Sequence, residues 1–66
     1  MRLQVNGETV QLSTGSSVQH LLEQLERSTG RLAVELNGEI VPRSQFSAQL
    51  LQDGDTVEIV QAIGGG

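Results

Sequence analysis

Leu3-Gln4-Val5-Asn6-Gly7-Glu8-Thr9-Val10-Gln11-Leu12 and, after a polar break, Val18-Gln19-His20-Leu21-Leu22-Glu23-Gln24-Leu25 decide the fold, because the apolar period changes between them. In the first stretch Leu3 and Val5, then Val10 and Leu12, alternate with Arg2, Gln4, Thr9 and Gln11, the period of about two of a half-buried strand. Asn6-Gly7 between them tolerates positive φ, so a β-hairpin is expected. Glu8 is a candidate for a lengthened loop or a bulge. In the second stretch Val18, Leu21, Leu22 and Leu25 follow i, i+3, i+4, i+7, which is one face of a helix. Ser13-Thr14-Gly15-Ser16-Ser17 supplies the break and the N-cap, with Ser16 and Gln19 spaced as a capping box. Ser28-Thr29-Gly30 is expected to end the helix, Gly30 serving as a left-handed cap.

Strand patterns return beyond the helix. Leu32, Val34 and Leu36 alternate with Ala33 and Glu35, and Asn37-Gly38 marks a second turn before Ile40-Val41. Pro42 cannot donate to a ladder, which places that short strand at an edge or ends it. Ser44 to Leu51 reads as an irregular or short helical crossover whose Phe46, Leu50 and Leu51 fill the core. Asp53-Gly54-Asp55 is a tight turn into a last strand, Val57-Glu58-Ile59-Val60-Gln61-Ala62-Ile63. The order β-β-α-β-β-β with one long helix implies an α+β fold, a mixed sheet of four to five strands packed on that helix. This is the ubiquitin-like β-grasp, whose first and last strands are parallel central neighbours. The expected organisation is one domain over residues 1–63 and a flexible glycine tail over residues 64–66.

Composition narrows the function. The 66 residues contain no cysteine and no lysine, which removes disulfides, thiolate metal sites and cysteine nucleophiles. Eight acidic residues against four arginines give a formal charge of −4 without any basic run, and Phe46 is the one aromatic. Nucleic-acid binding, which needs clustered cations and stacking platforms, is disfavoured, and a protein partner with a basic face fits better. No apolar run approaches the roughly 20 residues of a membrane span, and no signal peptide pattern opens the chain, so no membrane association and a cytoplasmic location are expected.

Few residues could carry chemistry. His20, the sole histidine, falls opposite the helical apolar stripe and reads as a solvated helix residue. Glu23 and Arg27 form an i, i+4 pair, and Asp53 and Asp55 are explained by local hydrogen bonds to backbone, with too few ligands around them for a metal. Gly15 lies before a helix, but no G-x-x-x-x-G-K motif accompanies it, and it reads as a loop residue. No nucleophile, base and orienter occur together, so the chain is not expected to be an enzyme or to bind a cofactor or metal itself.

What remains is Gly64-Gly65-Gly66. Glycine lacks Cβ, so such a segment can thread a narrow channel, with a reach of about 10 Å for three residues. It presents one group, an α-carboxylate ionised at neutral pH, able to attack the α-phosphate of ATP in a partner's site. A flexible linker end has the same composition. In the last strand, if Val57 and Ile59 face the helix, Val60 and Ala62 point the other way and, with Ile63, become candidates for docking a partner beside the tail.

The lysine- and cysteine-free chain, its Gly-Gly ending, Asn37-Gly38-Glu39-Ile40-Val41-Pro42-Arg43 and Asp53-Gly54-Asp55-x-Val57-Glu58-Ile59 together resemble the ThiS family of sulfur carriers in thiamine biosynthesis. The likeness covers essentially the whole chain. The Asp-Gly-Asp turn is shared with the related MoaD carriers of molybdopterin synthesis, whereas the Val-Pro-Arg segment and the short length are more like ThiS. The resemblance implies an adenylating enzyme similar to ThiF that uses ATP to convert the terminal carboxylate to an acyl-adenylate. Sulfur then displaces AMP, and the thiocarboxylate delivers sulfur to a thiazole synthase like ThiG. Carried over by position, Gly66 bears the thiocarboxylate, with Gly65 and Gly64 presenting it. Three glycines stand where the family needs two, so Gly64 reads as a spacer. A monomer is expected when free. A MoaD-like carrier, a β-grasp module that only docks, and a ubiquitin-type modifier are the alternatives; the absence of lysine disfavours self-linked chains in the last.

Overall fold

The computed structural model describes residues 1–26 and 32–61. Expectations resting on Arg27, Ser28, Thr29, Gly30, Ala62, Ile63 and Gly64 to Gly66 lie outside the described residues. The elements are β1 (Arg2–Val5), β2 (Glu8–Gln11), α1 (Val18–Gln24), β3 (Leu32–Leu36), β4 (Glu39–Val41), a 3-10 turn (Arg43–Gln45) and β5 (Thr56–Gln61). They form a five-stranded sheet in the order β2-β1-β5-β3-β4. β1 and β5 are parallel and the other pairs antiparallel, so the first and last strands are central neighbours, as expected of a β-grasp fold.

Both Asn-Gly pairs make two-residue turns with positive φ at each position, Asn6 (50°) and Gly7 (82°), Asn37 (51°) and Gly38 (87°). That backbone twist matches the right-handed twist of the strands it joins. Val5 pairs with Glu8, so the first hairpin closes without the bulge considered for Glu8. β4 lies at an edge, where Pro42 leaves no ladder bond unmade.

The helix starts at Val18, as its apolar stripe predicts, but its capping box lies one residue later than the Ser16–Gln19 spacing. Ser17, not Ser16, has the extended conformation of an N-cap, because helical geometry begins at Val18. The capping box therefore runs to His20: the His20 N–H donates to Ser17 Oγ at 3.3 Å, and the Ser17 N–H donates to His20 Nδ1 at 3.0 Å. An imidazole here does the work of the usual Glu or Gln. The helix also stops earlier than expected. Glu26 takes φ of 58° and its N–H donates to the Glu23 carbonyl at 3.1 Å, which turns the chain out of the helix four positions before Gly30.

Leu3, Val5, Val18, Leu21, Leu22, Val34, Phe46, Leu51, Val57 and Ile59 are buried between the helix and one face of the sheet. Leu50, expected in the core, is 56% exposed. The reason is parity: Leu50 makes an isolated antiparallel bridge with Ser17, and in an extended segment consecutive side chains point to opposite sides, so Leu51 turns inward and Leu50 outward.

Candidate functional site

β5 occupies the middle of the sheet. Val57 and Ile59 are buried against the helix side, as parity requires. On the opposite face Val60 is 61% exposed, beside the exposed Ala33 of β3. Glu58 sits beside Glu35 in the same pairing, and Ile40 of β4, 64% exposed, lies next to Glu35. This half of the open face is thus apolar and acidic. The other half, on β1 and β2, is polar, with Gln4 Nε2 donating to Thr9 Oγ1 at 3.0 Å. Of the docking candidates, Val60 is where the strand pattern puts it; Ala62 and Ile63 follow Gln61 beyond the described residues.

Two asparagine side chains grip β5, one at each end. At its start the Thr56 N–H donates to Asn37 Oδ1 at 2.9 Å, the Asn37 N–H donates to the Thr56 carbonyl at 2.7 Å, and Asn37 Nδ2 donates to Asp55 Oδ1 at 3.0 Å. Near its end the Ile59 N–H donates to Asn6 Oδ1 at 2.7 Å while Asn6 Nδ2 donates to the Ile59 carbonyl at 3.0 Å. Sequence reasoning used these asparagines for their turn conformation and missed the side chains. Asn rather than Asp at both turns was the available signal, since an amide, unlike an ionised carboxylate, offers a donor as well as an acceptor.

The remaining candidates are occupied with structure. His20 Nδ1 is committed to the helix cap. The other N-terminal amides of α1 are taken by the crossover segment: the Val18 N–H donates to the Gln49 carbonyl and the Gln19 N–H to the Phe46 carbonyl, both at 2.9 Å. The loop around Gly15 therefore offers no ring of open amides to a phosphate. Asp55 Oδ2 accepts the Gln52 N–H at 2.8 Å, the local role expected of it, whereas Asp53 Oδ1 accepts the Arg2 N–H at 2.7 Å and so ties the turn to β1, a long-range bond rather than the local one expected. A shallow depression of about 320 Å³ beside β4, bordered by Glu39, Ile40, Pro42, Gln45 and Gln49, contains one carboxylate and no nucleophile. Among the described residues no three His, Asp or Glu side chains gather as metal ligands, and no helix is long and apolar enough to cross a membrane.

The ThiS family model matches residues 3–66. The chain is 38% identical to the "Sulfur carrier protein ThiS" of Escherichia coli over 66 residues, covering all of both proteins. It is 44% identical over 66 residues to a thiazole synthase of Paramagnetospirillum magneticum, of which it spans 20%. The crystal structure of a thiamine biosynthesis protein (ThiS) from Geobacter metallireducens superimposes with a TM-score of 0.85 at 38% identity, covering 100% of each chain.

Proposed function

The chain belongs to the ThiS family, the sulfur carriers of thiamine biosynthesis, and from that premise we propose that its working group is the carboxylate of Gly66. Gly64 and Gly65 present it beyond the end of β5. The observation that carries this reading is the end-to-end correspondence with the Escherichia coli carrier. The protein acts as a carrier and co-substrate rather than as a catalyst.

The chemistry follows from the group presented. A carboxylate is a poor acyl donor because its leaving group would be oxide. In a ThiF-like adenylating partner a Gly66 carboxylate oxygen attacks the α-phosphate of ATP and pyrophosphate leaves, giving an acyl-adenylate. Sulfur at the oxidation level of sulfide attacks the same carbonyl carbon and AMP leaves with the C–O bonding pair. The product is a C-terminal thiocarboxylate, whose sulfur is a stronger nucleophile than the oxygen it replaced. Glycine at the reacting position offers the least hindrance to both attacks. The chain itself holds no cofactor in this scheme; ATP belongs to the partner's site.

Thiazole synthase is the proposed acceptor. Two thiazole synthases, 44% and 36% identical to this chain, each carry the matching segment within a longer polypeptide, so that in them a ThiS-like domain and a thiazole synthase travel together. The ThiS assignment favours the thiazole route over a molybdopterin route. The tail requirement separates a carrier from a module that only docks. Val60, with Ala62 and Ile63, would contact the adenylating partner while the glycines thread to its nucleotide, and the whole cycle is placed in the cytoplasm with a monomeric free carrier. Deleting Gly65-Gly66 should leave the circular dichroism and thermal transition unchanged and abolish sulfur transfer; full activity of the truncated chain would refute the carrier reading.

A further inference from the structure

We propose that Asn6 is a positioning residue for the tail: its side-chain amide fixes the outgoing end of β5 and so sets the direction from which the glycines enter a partner. The proposal rests on the reading that the tail is the working segment. It starts from the backbone accounting of β5. Asp55, just before that strand, and the odd-numbered residues within it turn their hydrogen-bonding groups toward β1: the Asp55 carbonyl accepts the Gln4 N–H and the Val57 carbonyl accepts the Asn6 N–H, both at 2.9 Å. The next rung should come from a continuation of β1. None exists, because the chain turns away at Asn6-Gly7 into β2.

The Asn6 side chain replaces that rung. It offers a carbonyl and an N–H in one plane, the same two groups as a peptide unit, and engages both partners of Ile59 at 2.7 and 3.0 Å. Because β1 and β5 are parallel, this contact lies at the end of β5 from which the tail departs; the corresponding Asn37 contact lies at the other end because β3 is antiparallel. Beyond Ile59 the described strand is held only by β3, through Val60 opposite Ala33 and Gln61 opposite Leu32. Among the described residues Asn6 is therefore the last anchor on the β1 side, two residues before Gln61.

The clamp matters for reaction because a partner must order every residue between the last fixed point and the reacting carbonyl. Residues ordered beforehand are not charged against binding. Loss of the clamp should accordingly appear in the concentration of carrier needed for half-maximal adenylation, and not in the chemical step once the tail is bound.

Asn6→Gly isolates the effect, since Gly-Gly is also a favoured turn of this type and glycine accepts the φ of 50°. With ATP and a ThiF-like enzyme, this variant should raise KM for the carrier about five- to tenfold at unchanged kcat. The Ile59 amide should exchange with solvent at least tenfold faster, while Val34 and Val57 amides keep their protection. Val41→Ala, a buried change on the distant β4, serves as a stability control and should leave KM as it is. Unchanged KM in Asn6→Gly with a rapidly exchanging Ile59 amide would overturn the positioning role, as would an equal rise in Val41→Ala. Wild-type protection of Ile59 in Asn6→Gly would overturn the clamp itself. Failure of the unmodified carrier to be adenylated would instead count against the tail reading.

Discussion

Replacing Val60 with aspartate separates docking from folding. Full burial of a valine side chain is worth about 1.5–3 kcal/mol, and Val60 leaves 61% of its surface to solvent. Covering that surface in a complex would contribute about 1–2 kcal/mol, and its loss corresponds to about a 5- to 30-fold weaker encounter. The new carboxylate would stand on the same face as Glu58 and Glu35, so a partner would also have to desolvate an additional charge there. Folding is affected far less, because an exposed strand position tolerates substitution within about 1 kcal/mol, or about 4–8 °C in a domain of this size. Pyrophosphate release by a ThiF-like enzyme, followed against carrier concentration, reads the change as KM. A Val60→Asp carrier with KM within twofold of the unmodified chain would refute docking through this face.

Two further substitutions test the scaffold. Leu21 is completely buried beneath the sheet, and Leu21→Ala should cost about 2–5 kcal/mol, a large part of the roughly 3–10 kcal/mol available to 66 residues; urea unfolding checks it, and a loss below about 1 kcal/mol would mean the core is not packed as described. Ser17→Ala removes the acceptor of the His20 N–H and should cost about 1 kcal/mol, seen as a fall of about 4–8 °C in Tm, whereas Ser16→Ala, outside the box, should change Tm by much less.

The parts of the fold legible in the sequence are those set by local chemistry. Alternation at Leu3 and Val5, at Val57 and Ile59, and the helical stripe at Val18, Leu21 and Leu22 each dictate which side chains are buried, and each is buried. Asn-Gly and Asp-Gly-Asp announce turns because few other residues accept positive φ. Misreadings arose where a choice depended on distant partners. Ser16 and Ser17 are equally good caps by composition; the crossover carbonyls of Gln49 and Phe46, bonded to Val18 and Gln19, fix which one is used. Leu50 and Leu51 are equally apolar, and the bridge to Ser17 decides which is inside. The clamps of Asn6 and Asn37 needed the strand order, because both reach a strand far along the chain. For the site, Val60 could be read from parity alone, whereas its acidic neighbours Glu35 and Glu58 come together only through the β3–β5 register.

The central claim is that Gly66 carries sulfur, and the most direct measurement is the mass of its C-terminal peptide in protein isolated from a host with an intact pathway. Conversion of the terminal carboxylate to a thiocarboxylate exchanges oxygen for sulfur and adds about 16 Da, sensitive to alkylation at sulfur. Localisation to the peptide ending at Gly66 distinguishes it from oxidation of Met1. The account predicts that this species appears when a ThiF-like enzyme, ATP and a sulfur donor are present and vanishes when any is withheld. A C-terminal peptide that stays at the mass of the free acid under all of these conditions, in a chain adenylated by no partner, would contradict it.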